Sequence, residues 1–376
     1  GTLFPEWKYA GKWRKKGKQW FEEEVLYQVY PDGAYLQHSM NYHRVVVQLA
    51  TWALQLGAAH EVQWRRTVRL RLQKSLDFLI SFVEPKNGFL PNYGHNDGAL
   101  FFQLSECEFR DYRPQLNALS YALNGKYVFH EDKSLEESVW MGGHLNTNNP
   151  KEEISSGSKA FEYGGYYSHR DEQSFSFVRI PKYHHRPAQA DAFHLDIWVM
   201  GKNMFRDSGT YLYNTGEEDI RYFFGSRSHN TVTIGEYDQM KKASRFIWLF
   251  WTKRTKVEQG ETEEAWYFDG EIKAFRHLGK IRHRRRVTKH KNELVWSIED
   301  WIQGKPHHLP MIQHWHPHPD FAEHILIESS DGTNSKVKLT EGAGYYASHY
   351  GEKEASPWWK IETHFAYLKT IIRINI

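Results

Sequence analysis

The apolar residues of this 376-residue chain change their period once, and that change restricts the fold more than any single motif. Val68, Leu72, Leu76, Leu79 and Phe82 recur at helical spacing and set one buried stripe on a helix. Helical patterning of this kind runs from about residue 6 to residue 126. The apolar-rich segment 44–58 reads as a helix enclosed by neighbours, and 135–141 as a short further helix. Beyond about residue 160 the period is two: residues 173–180, 194–199 and 231–234 alternate and are bounded by Gly, Pro, Asp or Asn. Many short strands without intervening helices call for antiparallel sheets stacked as a sandwich. The expectation is two domains, a helical one at 1–127 and an antiparallel β domain at 128–376.

Hydrophobic residues at 40% and charged residues at 25% place the chain among soluble globular proteins and exclude a disordered or collagenous one. No apolar run reaches the roughly 18 to 20 residues that span a bilayer, so no membrane span is expected, and Gly1-Thr2-Leu3-Phe4-Pro5 lacks a signal-peptide pattern. Cys107 is the single cysteine, which rules out an internal disulfide framework. The net charge of +3 is small, but 22 histidines would raise it below about pH 6.5, favouring an acidic partner. Aromatic residues make up 16% of the chain, more than a core of this size needs, and flat rings suit sugar faces.

Four segments carry chemistry-bearing side chains. The first is Gln37-His38-Ser39-Met40-Asn41-Tyr42-His43-Arg44, which follows the Pro31-Asp32-Gly33 turn. It is either a helix cap with Asn41 or Ser39 at the N-cap, or an anion site that combines an amide, imidazoles and the helix N-terminus. The second is the loop Asn92-Tyr93-Gly94-His95-Asn96-Asp97-Gly98, where cationic neighbours would lower the Tyr93 phenol enough to exchange protons. The third joins Tyr183 to Asp191, Arg206 to Tyr211 and Ser228 to Thr231, a scattered set of oxygen and imidazole ligands for a divalent cation. The fourth is the basic run 276–291, read as an exposed strand with solvated alternate residues in preference to a polyanion site. The aromatic cluster 246–251 reads as sandwich core, and the histidines at 307, 308, 314, 316 and 318 receive no role.

In this order, these segments together with Arg110-Asp111-Tyr112-Arg113-Pro114 and His194-Leu195-Asp196-Ile197-Trp198 resemble the heparinase II/III-like polysaccharide lyases. The resemblance implies an incomplete (α/α) toroid followed by an antiparallel β-sandwich. It further implies β-elimination on a uronic-acid-containing polysaccharide that leaves 4,5-unsaturated uronate ends. Asn41 matches the amide that neutralises the uronate carboxylate and Tyr93 the catalytic base and acid. His185 matches a histidine from the sandwich, with His184 and Arg186 as rivals, and His43 is an accessory. Tyr42 is read as a packing residue. His38, Arg44, Asn96, Arg113 and Arg186 are expected to bind substrate. A metal set of Gln189, Asp207 and His229 would hold one divalent cation, Ca, Mn or Zn, in a mainly structural role. Glutamine stands where several relatives have histidine, which favours a harder ion such as Ca or Mn, or no ion, over tight Zn.

No organic cofactor and no nucleic-acid partner are expected, the oligomeric state is open, and the location is extracellular or periplasmic. Family members carry more helix ahead of Asn41 than this chain does. Two other readings stand beside the lyase: an inverting glycoside hydrolase using Asp97 and Asp111, and a non-catalytic glycan-binding module.

Overall fold

A computed structural model of the chain describes residues 1–144 and 154–376. These form two compact units: Gly1–Leu90 with Ala99–Ile154, and Pro91–Gly98 with Ser155–Ile376. Among the described residues, no helix is long and apolar enough to cross a membrane.

The first unit is helical, with α1 (Ala10–Gln28), α2 (Met40–Ala59), α3 (Arg66–Phe82), α4 (Arg113–Asn124) and α5 (Asp132–Trp140). Val68, Leu72, Leu76, Leu79 and Phe82 are all buried on α3, as their spacing demands. Helix α2 is less enclosed than expected, because Leu49 and Trp52 face outward at 37% and 40% exposure. Gly33 carries φ +94 in the turn ahead of α2, and a Cβ there would lie 1.9 Å from the Lys74 carbonyl oxygen, so only glycine fits. The buried Glu137 of α5 accepts from Gln48 of α2 at 3.0 Å and from Gln115 of α4 at 2.5 Å. That bridge ties α5 to the helical unit, so the units change over at Ile154/Ser155 rather than at 127/128.

The second unit is antiparallel. Its first sheet runs in order through β1 (Gly157–Phe161), β2 (Tyr166–Arg170), β3 (Ser174–Arg179), β4 (Leu195–Val199) and β5 (Lys202–Phe205). Helix α6 (Glu217–Phe224), β6 (Val232–Ile234) and the hairpin β7 (Lys241–Ser244) with β8 (Ile247–Leu249) follow. The remaining strands are β9 (Lys253–Glu261), β10 (Ala265–Ala274), β11 (Ile281–His290), β12 (Val295–Gln303), β13 (Met311–Trp315), β14 (Ile325–Asp331), β15 (Leu339–Tyr346), β16 (Glu354–Thr363) and β17 (Tyr367–Ile374). They build a six-stranded sheet, β14-β17-β12-β11-β10-β9, and a four-stranded sheet, β15-β16-β13-β6. One apolar core draws on all three large sheets, including Leu195, Ile197, Phe268, Val287, Ile298, Leu368, Met311 and Ile361. The aromatic stretch at β8 is core only at Trp248; Ile247, Leu249 and Phe250 are 44% to 50% exposed.

The basic strand β11 corrects a sequence expectation. Its alternation is real, but the inward face carries His283, Arg285 and Lys289 alongside Ile281 and Val287. Arg285 donates to both carboxylate oxygens of Asp300 at 2.8 Å and to the carbonyls of Phe193 and Asn230 at 2.7 Å. Asp300 also receives His283 at 2.6 Å and Gln313 at 2.7 Å, so every buried charge in the group is bonded. On the outward face, Arg284 pairs with Asp269 and Arg282 with Glu271 at 2.8 Å. Arg282, Arg284 and Arg285 are therefore engaged within the sheet, while Lys280 stays exposed at its edge.

Burial alone would raise the Asp300 carboxyl, but Arg285 and His283 override it and hold the group below its ordinary 3.8. A depressed acid contributes stability that is present above that value and lost as pH falls below it. Asp300→Asn should cost about 3 kcal/mol or more at pH 7, since it leaves Arg285 buried without a counter-charge. Urea unfolding followed by circular dichroism should show that loss, and a shallower loss of stability below about pH 4 than wild type.

Candidate active site

In the helical unit, the Asn41 segment forms the start of α2. Ser39 is the N-cap: its Oγ accepts from the Tyr42 N–H at 3.0 Å, so asparagine is not the cap. His38 precedes it at φ +54, buried, with its ring 6.0 Å from Tyr30. Asn41 is 3% exposed, donates to the Ala99 carbonyl at 3.2 Å and accepts from Arg44 Nη2 at 2.8 Å. Arg44 is sandwiched between Phe109 and Tyr112, each ring centroid 4.3 Å from the guanidinium carbon, and also donates to the Phe109 carbonyl. His43 is buried against Ser75 Oγ at 2.6 Å, and desolvation drops it to about 3, which keeps it neutral. Tyr42 is the partly exposed side chain of the Asn41–Arg44 turn. Arg113 is held by Asp111 at 2.7 Å, so its charge is already neutralised.

In the β unit, the loop 91–98 is anchored by Asn92 to the Ala347 carbonyl at 2.8 Å and by Thr210 to the Gly94 carbonyl at 3.2 Å. Tyr93 is 2% exposed and donates to Asp191 Oδ2, while Arg179 Nε donates to the phenol oxygen at 2.7 Å. Tyr183 donates to the other oxygen of Asp191 at 3.1 Å. Burial pushes the Tyr93 phenol well above its ordinary value of 10; Arg179 offsets part of that rise and Asp191 adds to it. The expected lowering is therefore reversed, because the cation beside Tyr93 is shared with a carboxylate in a dry environment. His95 is packed on Tyr213 and Phe224 and lowered to about 3 by desolvation, with Lys242 and Arg186 adding to the shift. Asn96 accepts from the Gly98 N–H at 2.8 Å, an Asx turn within the loop.

Of the three neighbours at 184–186, His185 is partly buried while His184 and Arg186 are exposed. His184 stacks on Tyr163 with centroids 5.4 Å apart, and Arg186 donates to the Phe246 carbonyl at 2.7 Å. The proposed metal residues lie deeper. Donor atoms of His194, Asp207 and His229 fall within 4.8 Å of one another, so the set includes His194, which the sequence reading had not assigned. Asp207 accepts from His229 Nδ1 at 2.8 Å and from the Gly209 N–H at 2.8 Å. Burial would raise Asp207 and lower His229, but their pairing overrides both, leaving the acid low and the imidazole high. His194 Nδ1 accepts from the Asn230 N–H at 3.1 Å, which puts its proton on Nε2, 3.4 Å from Asp196. That nitrogen is occupied by a proton, whereas His229 Nε2 and Gln189 Oε1 are both buried without a hydrogen-bond partner. His229 Nε2, on an imidazole bonded to Asp207, and Gln189 Oε1 are orphaned atoms of the kind that hold a divalent cation.

The sequence reading missed Arg179 and Asp191 as the clamp on Tyr93. One signal was present: Arg179 shares its strand parity with Phe175 and Phe177, and an arginine on an apolar face needs a buried partner.

Two family models match the chain, the Heparinase II/III N-terminus over residues 1–110 and the Heparinase II/III-like, C-terminal over residues 153–366. The chain belongs to the heparinase II/III-like family. This heparinase II/III-like chain is 27% identical over 310 residues to a heparin-sulfate lyase of Bacteroides thetaiotaomicron, covering 76% of the chain and 40% of the relative. It is 24% identical to a heparin-sulfate lyase of Bacteroides stercoris, covering all of the chain and 52% of the relative. The chain thus spans about half the length of the curated relatives it matches. Among solved structures it shares its fold with heparinase III at TM-score 0.76 and 20% identity, covering 100% of the chain and 59% of that structure. A chondroitin AC lyase of Streptomyces coelicolor in complex with chondroitin sulphate matches at TM-score 0.61 and 10% identity, covering 98% and 58%.

The clamp makes a specific prediction. Tyr93→Phe should remove the hydroxyl that satisfies both Arg179 and Asp191 and destabilise the β unit by about 1–3 kcal/mol, read as a lower thermal midpoint.

Proposed function

We propose that this chain is part of a polysaccharide lyase that cleaves a uronic-acid-containing acidic polysaccharide by β-elimination. The observation that carries the reading is that both curated relatives bear the name heparin-sulfate lyase, and their alignments take in most or all of the chain. The proposal includes the architecture: the helices are part of an incomplete (α/α) toroid and the sheets a β-sandwich. Support comes from the paired helix packing of α1 with α3 and α2 with α4, and from the single core shared by the three sheets. A substrate of this kind implies an extracellular or periplasmic location.

In such a reaction a base removes the C5 proton, the C4–O4 bond breaks as the C4=C5 bond forms, and an acid returns a proton to O4. The C5 proton becomes acidic only when the neighbouring carboxylate is neutralised by a donor or cation. Tyr93 is poorly placed for either proton, being enclosed and raised by burial. We assign the proton transfer to Tyr42, which keeps partial exposure in the first turn of α2. Asn41 would mask the uronate carboxylate only by turning part of its amide from Ala99, so in the structure it braces Arg44. His185, partly exposed, is the proposed histidine of the β unit, and Arg186 an exposed cation for the acidic polymer. The hydrolase reading loses support because Asp111 is committed to Arg113.

We further propose that Gln189, Asp207 and His229 hold one structural divalent cation, supported by the orphaned Gln189 and His229 atoms. Bound there, the ion would supply positive charge that cross-links buried segments.

Incubation with a panel of glycosaminoglycans, alginate and bacterial exopolysaccharides should give new ultraviolet absorbance from unsaturated uronate. Tyr42→Phe should lower the rate at least 100-fold with an unchanged thermal midpoint. Loss of activity in Tyr93→Phe at unchanged stability would return the role to Tyr93, and no product from any glycan by the full-length protein would remove the lyase reading. Chelator treatment should lower the thermal midpoint of the wild type and leave Asp207→Asn unaffected.

A further inference from the structure

The hairpin of β7 and β8 shields a cation that no group in the β unit bonds. Lys242 stands opposite Trp248 across the hairpin, at the edge of a small apolar cluster that includes Phe223, Phe224, Met240 and Trp248. Its ammonium lies 4.6 Å from the centroid of the Phe224 ring and 4.3 Å from that of Trp248. Lys242 Nζ is enclosed and has no hydrogen-bond partner, which holds for no other lysine among the described residues. Lys289 and Lys305, also shielded, spend their N–H groups differently. Lys289 donates to Asp171 at 3.0 Å and to the carbonyls of His290 and Glu293, and Lys305 to those of Leu309 and His364. Only ring faces hold Lys242, so turning its long stem costs no hydrogen bond.

Burial brings this amine down to about 8; Asp238 opposes the fall and Arg186 adds to it. His95, on which Lys242 also acts, is itself lowered to about 3 and is neutral. An amine is a nucleophile only as its free base. Near pH 8 about half of such a group is free, against less than about 1% of an ordinary lysine.

Beside the hairpin lies a cavity of about 720 Å³, and Lys242 is part of its wall. Every lining residue belongs to the β unit. Thr215, Tyr237, Ser244 and His277 give the wall hydrogen-bonding groups, and Ile220 and Leu278 give it apolar ones, a mixture that suits a small sugar.

We propose that Lys242 forms an imine with a polyhydroxy aldehyde, the open-chain form of a reducing sugar, bound in this cavity. The Nζ lone pair adds to the carbonyl carbon and a nitrogen proton passes to the oxygen, giving a carbinolamine. Its hydroxyl takes a proton from solvent and leaves as water while the nitrogen lone pair closes the C=N bond. The product is an iminium, so the positive charge beside Phe224 and Trp248 is kept. The site does not rest on the lyase reading, since no glycosidic bond is broken at Lys242.

The full chain incubated with glyceraldehyde and sodium cyanoborohydride, which reduces an imine to a stable secondary amine, reports the reaction by peptide mapping in a mass spectrometer. Near neutral pH Lys242 should carry the adduct at least about tenfold more often than its exposed neighbour Lys241. In urea, where both amines are free in solvent, that preference should vanish. Propionaldehyde, which has no hydroxyls, should show at least about fivefold less preference for Lys242 over Lys241. Lys242→Met keeps an unbranched apolar stem against the rings, so its thermal midpoint should match wild type while total uptake at low aldehyde falls at least about threefold. Labelling of Lys242 no faster than of Lys241, or a preference that persists in urea, overturns the proposal. An equal preference with propionaldehyde overturns the choice of a sugar.

Discussion

Arg179 is a guanidinium with no exposure to water, and the candidate site of the β unit is arranged around satisfying it. It donates to the Gly164 carbonyl at 2.5 Å and the Gly165 carbonyl at 3.1 Å, covers the Tyr166 ring at 4.5 Å and reaches the Tyr93 oxygen. Asp191 supplies the compensating charge through the shared Tyr93 hydroxyl, and Tyr183 donates to its other oxygen. Removing any member leaves another buried polar group without a partner, a penalty larger than the bond itself. The loop 91–98 is therefore part of the β unit although the sequence places it among helices. A tyrosine held this way is a fixed strut. Tyr42, proposed as the proton carrier, is by contrast partly exposed.

The change of period was legible because it records which side chains face a core, and cores form wherever apolar stripes can meet. The stripe on α3 and the strands β3, β4 and β6 lie close to where the sequence puts them, although these three strands are buried on both faces and not on alternate residues. Partners far apart in the chain were not legible. Tyr93 is 86 residues from Arg179 and 98 from Asp191, so local pattern shows a turn-rich loop and gives no hint of its burial. The same blindness affected β11, where alternation is visible but the side that faces inward depends on Asp300 across the sheet. Asp300 itself was a clue, sharing parity with Trp296, Ile298 and Ile302 on β12. The candidate metal ligands were reached through family resemblance, and only the strands show that His194 also lies near Asp207.

Charge in this protein is mostly spent internally, and that bears on how it meets an anion. Acidification was expected to add charge through 22 histidines, yet His43, His95 and His316 are held near 3 by burial, and burial pushes His314 well down too. Such imidazoles stay neutral across the physiological range and act as packed hydrogen-bonding rings. The arginines of β11 are likewise matched by Asp300, Asp269 and Glu271. Attraction for an acidic polymer must then come from arginine and lysine groups at the surface that lack acidic partners, whose charge does not vary near neutral pH. In the β unit that condition is met by exposed Arg186. Any attraction for the proposed polymer that comes from these fixed cations is screened by salt, and the buried neutral histidines add nothing to it.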